Sequence, residues 1–285
     1  MRTLGFVDHH LANYHADVFL RLLRTSFADR GVEVIGYESD PVPGGDWCDR
    51  NQVRRADSID ALVDEADAIL ILAPDDIDTH PEFARAVIRG AKPVVLDKLL
   101  ATNLADARAI AELARGHGAP VLSSSALRYA VELADLLPAG PPIEAGFARG
   151  FGDWDRYGIH TLAVATRIGG FGVRRVIETG TVADRCLTLD YGDHRVTVDC
   201  HAGDNAAAAL GWSGGFRVAG QWSTTKIIDH EGFYRRTLGA YLDFCAGATP
   251  DQSLDQAVEL VALHAASDQS LAADGAWIEI ASIVP

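Results

Sequence analysis

Residues 68–98 read AILILAPDDIDTHPEFARAVIRGAKPVVLDK. An unbroken apolar run, Ala68-Ile69-Leu70-Ile71-Leu72, opens the stretch, and a second, Pro93-Val94-Val95-Leu96, nearly closes it. Between them lies a helical pattern in which Thr79 and Glu82 have capping-box spacing and Gly90 marks the stop. Strands that lack polar alternation are buried on both faces, as in parallel sheets, and parallel neighbours need a crossover helix. The stretch therefore reads as one βαβ unit.

The same alternation extends in both directions. Leu4-Gly5-Phe6-Val7 reads as a first strand, followed by an amphipathic helix carrying Val18, Phe19, Leu22, Leu23 and Phe27 and ended by Gly31. Val32 to Tyr37 gives the second strand, then come a Gly/Pro-rich polar loop from Asp40 to Arg50 and a short helix from Ser58 to Ala66. Beyond Lys98, a helix from about Leu104 to Arg115 leads to a strand at Pro120 to Ser123. This predicts an α/β protein whose residues 1–123 form a Rossmann-type, doubly wound parallel sheet.

The texture changes after Leu137-Pro138-Ala139-Gly140-Pro141-Pro142. Strand-like runs at 143–150, 175–181, 185–191, 195–201 and 216–219 follow with few helices between them, which predicts an open, mostly antiparallel sheet in an α+β domain over 124–285. Helices are expected at His160 to Ile168, Tyr234 to Phe244 and Leu254 to Leu271, the last behind the capping box Ser253 to Gln256, and a final strand at Trp277 to Ile280. This last helix and strand are candidates to pack back between the domains.

A formal charge of −15 opposes the approach of phosphate backbones and anionic membrane surfaces, so nucleic acid and membrane are not expected partners. The four cysteines, Cys48, Cys186, Cys200 and Cys245, are widely spaced and read as reduced thiols. With no apolar leader run and no stretch of bilayer-spanning length, a cytoplasmic protein is expected.

Specific residues resemble a known family, the Gfo/Idh/MocA oxidoreductases, which include glucose-fructose oxidoreductase and inositol dehydrogenase. Ala73-Pro74, His80, the run Arg89-Gly90-Ala91-Lys92-Pro93-Val94 and Asp97-Lys98 are similar to the family's "TP…H…AL.AGKHV..EKP" pattern. Gly158-Ile159-His160 followed by Gly169-Gly170 resembles its catalytic helix, "D-x-G-x-H…G". The resemblance implies NAD, or NADP, bound by the first domain, and a homodimer or homotetramer formed through the C-terminal sheet. It also implies that Lys98 and His160 act on a small hydroxylated substrate. The chemistry agrees, because alcohol oxidation needs an acceptor for the hydroxyl proton near neutrality, and an ammonium beside it steadies alkoxide charge. Asp8, His9, His10, Leu11, Glu38, Ala73, Pro74, His80, Asp97 and Lys98 are the cofactor contacts expected on this resemblance, and Arg128, Trp154 and Arg156 the substrate contacts.

Three departures stand beside the resemblance. Where G-x-G-x-x-G should cradle a pyrophosphate, the chain has Asp8-His9-His10-Leu11-Ala12-Asn13, whose carboxylate repels phosphate unless a protonated His9 or His10 offsets it. Leu99 replaces the proline of EKP. Arg156 stands four residues before His160, so Asp155 would have to serve one residue out of register, with Tyr157 as the alternative proton-handling or substrate-binding hydroxyl.

Several positions carry two readings. Glu38 ends the second strand, where a carboxylate accepts ribose hydroxyls and favours NAD, or is simply a solvated loop charge. Asp8, His9, His10 and His15 are metal-ligand types, but on an extended strand end His9 and His10 face opposite ways, so no metal is expected. The leading functional reading is an NAD(P)-dependent oxidoreductase of a sugar, cyclitol or derivative. The alternatives are a metabolite-binding or regulatory relative without cofactor, and a lyase, epimerase or hydrolase that uses bound NAD transiently.

Overall fold

A computed structural model describes residues 1–41, 46–74, 77–137 and 142–283. They form two compact units, Met1–Ser124 with Tyr234–Val258, and Ser125–Phe233 with Glu259–Pro285. Tyr234–Val258, which the sequence reading gave to the second domain, thus clusters with the first. Parts of the expected 40–50 loop and of the 137–142 change of texture lie outside the described residues.

In the first unit the chain runs β1 (Thr3–Asp8), α1 (Tyr14–Arg24), β2 (Glu33–Glu38), α2 (Trp47–Asn51), β3 (Arg54–Arg55) and α3 (Ile59–Glu65). It continues through β4 (Ala68–Ile71), α4 (His80–Val87), β5 (Val94–Asp97), α5 (Leu104–His117) and β6 (Val121–Ser124). All strand pairs are parallel and the sheet order is β3-β2-β1-β4-β5-β6, the doubly wound arrangement. Every residue of β4 and β5 is buried, as their unbroken apolar runs require. On α1, Val18, Phe19, Leu22 and Leu23 are buried, each such side chain contributing about 1.5–3 kcal/mol.

Two local expectations need correction. The first helix ends at Arg24, and it is a separate 3-10 turn, Ala28–Arg30, that Gly31 closes with φ 60°. Thr79 makes no capping bond, because a 3-10 turn over Ile77–Thr79 runs straight into α4 and Pro81 brings no N–H to cap.

The second unit contains α6 (Val131–Leu136), β7 (Ala145–Phe151), α7 (Ile159–Gly169), β8 (Arg175–Glu178), β9 (Asp184–Asp190), β10 (Arg195–His201), α8 (Ala206–Ala209), β11 (Trp212–Val218) and β12 (Gln221–Ile227). Helices α9 (His230–Cys245) and α10 (Leu254–Ala272) cross the division between units, and β13 (Ile278–Glu279) completes the second sheet. Its order is β12-β11-β7-β10-β9-β8-β13, with β7–β10 parallel and the other pairs antiparallel. Helix α7 lies on this sheet with almost every side chain buried. The capping box of α10 forms as read: Gln256 N–H donates to Ser253 Oγ at 3.2 Å and Ser253 N–H to Gln256 Oε1 at 2.8 Å.

β12 has no counterpart in the sequence reading. It pairs only with β11, and its residues Trp222 to Lys226 are polar or exposed, so the edge strand has no apolar run to announce it. No described helix is long and apolar enough to cross a membrane.

Candidate functional site

The turn after β1 is held by its own acids. The buried Asp8 carboxyl accepts from His10 N–H at 3.1 Å and Asn13 Nδ2 at 2.8 Å, with the His9 and Ala73 amides also bonded to it. Burial raises its pKa to about 7, against the lowering effect of these hydrogen bonds. Glu38, also buried, accepts from Leu11 N–H at 2.8 Å through Oε1 and from Arg55 at 2.7 Å through Oε2. Asn13 Oδ1 caps α1 by accepting from the amides of His15 and Ala16 at 3.0 and 3.1 Å.

Glu38 is thus no solvated loop charge, and its oxygens are engaged inside the protein. Arg55 beside it offsets the repulsion of a 2′-phosphate on which a preference for NAD was based. Leu11 is fully buried, and a Cβ on Gly36 would come within 3.0 Å of it and 2.6 Å of Cys48 Sγ. The side chain is packed against β2 at Gly36.

His9 and His10 do not face opposite ways. The chain bends at His9, so strand alternation ends with Asp8, and the two rings lie 4.3 Å apart between centroids.

The turn after β5 has a different frame. Lys98 is left-handed, with φ 72°, and only 7% exposed, and its Nζ donates to Pro74 O at 2.9 Å. Next to it, Leu99 O receives a hydrogen bond from Nδ1 of the fully buried His80 at 2.9 Å, so a histidine steadies the turn where the family places a proline. Burial holds the His80 pKa below its ordinary 6.5, which keeps the ring neutral for this task. Asp97 bonds to His15 through Oδ2, and its Oδ1 lies 3.3 Å from the Tyr241 hydroxyl, which donates to Ser124 O at 2.8 Å. Asp8, Glu38, Ala73, Pro74, Asp97 and Lys98 all stand at the C-terminal ends of the strands, where doubly wound sheets bind ligands.

In the second unit the expected catalytic helix is α7, entered through a one-turn π-helix over Trp154–Gly158. His160 Nδ1 lies 2.7 Å from the hydroxyl of the fully buried Ser125. The Tyr157 ring is 6.0 Å from the His160 ring, while Asp155 and Arg156 are exposed on the turn. Trp154 is only 4% exposed, stacked on His264 at 4.9 Å and lying 4.8 Å from the Arg185 guanidinium. It braces the turn from inside instead of offering a face to a ligand. A Cβ on Gly158 would come within 2.4 Å of that indole, which explains the glycine two residues before His160. Arg128 is buried, with its guanidinium 5.1 Å from the Phe171 ring.

Lys98 and His160 belong to different compact units. Sequence reasoning missed Ser125, Tyr241 and the His15–Asp97 pair. Each depends on a partner far along the chain, and neither serine nor tyrosine stands in a motif.

A dinucleotide fits these residues unevenly. The ends of β4 and β5 gather the implied contacts Ala73, Pro74, Asp97 and Lys98. At β1 the amides of His9, His10, Leu11, His15 and Ala16 are already spent on Asp8, Glu38 and Asn13, so the turn presents no cradle of the glycine-rich kind.

Comparison with known proteins places the fold. The profile of an oxidoreductase family with an NAD-binding Rossmann fold, Gfo/Idh/MocA, matches residues 16–124, beginning just beyond the unusual turn. No curated protein sequence matches. Among solved structures, a probable dehydrogenase from Thermotoga maritima is similar with TM-score 0.82 at 14% identity, covering 98% of this chain and 99% of its own. An oxidoreductase from Agrobacterium radiobacter, in complex with NAD+, L-tartaric acid and magnesium, gives 0.77 at 14% identity over 99% of both chains. Myo-inositol 2-dehydrogenase from Lactobacillus plantarum gives 0.76 at 14% identity, over 98% of this chain and 99% of that one. At these identities the likeness is one of fold. What the sequence comparison identifies is therefore the segment 16–124, which matches the Gfo/Idh/MocA oxidoreductase family model with its NAD-binding Rossmann fold.

Proposed function

We propose that the protein is an NAD-linked oxidoreductase, with NADP as the other possible cofactor, acting on a small hydroxylated metabolite such as a sugar, a cyclitol or a derivative. The observation that carries this is the Lys98 turn. Burying a lysine amine on a left-handed residue is costly, and here the turn is braced from behind by His80 and the amine is anchored on Pro74 O. Such a group is placed to orient an alcohol oxygen and to steady the charge that grows on it.

His160 would take the hydroxyl proton, with Ser125 fixing its ring orientation. Tyr157, beside that ring, and the exposed Asp155 are the further proton-handling candidates, and Arg128 and Arg156 would bind the substrate. Ala73, Pro74, Asp97 and Lys98 would hold the nicotinamide half, which supplies the hydride acceptor when bound. Assembly into two or four copies through the second sheet belongs to the same reading, and sedimentation of the pure chain checks it.

Titration with NADH and with NADPH, followed by nucleotide fluorescence, tests the reading. Saturable binding of at least one is expected, and no binding of either at millimolar concentration overturns it. The self-bonded β1 turn favours a second reading, a metabolite-binding relative without the cofactor. Turnover that disappears in Lys98→Ala and His160→Ala would exclude that alternative.

A further inference from the structure

The cluster above β1 has no part in the proposed reaction. One ring nitrogen of His9, one of His10 and a carboxylate oxygen of Asp40 all lie within 4.8 Å of one another. His9 Nε2 and Asp40 Oδ2 are 3.9 Å apart. Donors around a tetrahedral ion with bonds of about 2.0–2.1 Å stand about 3.4 Å from each other, so small side-chain rotations would close the set.

The surroundings are those of a ligand set. His9 Nδ1 lies 2.8 Å from Ser39 Oγ, which orients the ring and leaves Nε2 for a ligand bond. The backbone ties the two loops together, with Ser39 N–H donating to Asp8 O at 3.1 Å and Asp40 N–H to His9 O at 3.2 Å. His10 Nδ1 is buried without a hydrogen-bond partner among the described residues, the condition of a nitrogen in want of a proton donor or an ion. The chain's charge of −15 raises the local concentration of cations.

We infer that His9, His10 and Asp40 form a binding site for a divalent transition-metal ion of the zinc class. Two imidazoles and one carboxylate favour such an ion over calcium or magnesium, which prefer all-oxygen sets. Three protein ligands leave the fourth position of a tetrahedral ion to water. The inference is independent of the oxidoreductase reading, because it needs neither nucleotide nor turnover.

The test uses the untagged full chain, stripped with chelator and titrated with zinc(II) by calorimetry and with cobalt(II) by visible absorption. One ion per chain is expected, with an intense ligand-field band for tetrahedral cobalt. His9→Ala and His10→Ala should abolish saturable binding, and Ser39→Ala should weaken it about tenfold through the lost orienting bond. Asp40→Asn should weaken binding at least tenfold, and because that side chain is 71% exposed the substitution leaves folding intact and decides the matter alone if a histidine variant fails to fold. Replacement of the distant, exposed His117 should change nothing. No saturable binding below 1 mM (about −4 kcal/mol), or binding that survives Asp40→Asn undiminished, overturns the inference.

Discussion

The turns after β1 and β5 end neighbouring regions of one parallel sheet, yet they are built on opposite plans. At β1 two buried carboxyls gather backbone amides inward, so the turn's amides are used up by the chain itself. At β5 a buried neutral histidine holds the turn from behind, and the lysine in front keeps a strand-end position. Strand ends of one sheet can therefore be held by unlike means, acids drawing in backbone amides at β1 and a neutral histidine bonded to a carbonyl at β5.

Removing Glu38 should break the first plan most severely. Glu38→Ala leaves the Leu11 amide unpaired in a buried setting and strips Arg55 of a partner, at an expected cost of about 2–4 kcal/mol in chemical denaturation. Retention of full stability would show that the carboxylate does not hold the turn. His80→Ala attacks the second plan by orphaning Leu99 O and opening a cavity, with about 2–3 kcal/mol expected by the same measurement. Asn13→Ala should cost about 1 kcal/mol through the lost helix cap, and a smaller change would mean that water caps α1 as well.

The sharpest contrast is in pH. Asp8 has a folded pKa of about 7 against 3.8, so its contribution is fully present below 3.8 and is lost as pH rises through about 7. His80 has a folded pKa below 6.5, so its contribution is present above 6.5 and is lost as pH falls through the folded value. In chelator, Asp8→Asn should therefore gain on the parent chain between pH 5 and pH 8.5, whereas the deficit of His80→Ala should shrink on acidification. Parallel trends for the two variants would dissolve the distinction between the turns.

The fold was legible where burial is uniform: β4 and β5 are fully apolar and announce themselves, and Asp97-Lys98 follows at once. The edge strand β12 was not, since one exposed face and a row of threonines leave no run to read. Lys98 and His160 could be picked out from short motifs, but their supports could not. His80 meets Leu99 across 19 residues, Ser125 meets His160 across 35, and His15 meets Asp97 across 82, distances at which side-chain pairing is decided by tertiary packing. The bend at His9 shows the reverse failure, an alternation rule carried one residue past the end of its strand.

The inward-bonded β1 turn also restricts how this chain can change. Asp8, Leu11, Asn13 and Glu38 are energetically coupled through shared bonds and shared space, so substitutions among them will not add. Glycine introduced at Asp8, Asn13 or Glu38 strands the partners of the side chain it replaces, and at Leu11 it leaves a void against Gly36. A change to a glycine-rich turn must therefore pass through several unstable intermediates or occur in one concerted step, a barrier that preserves the inward-bonded turn.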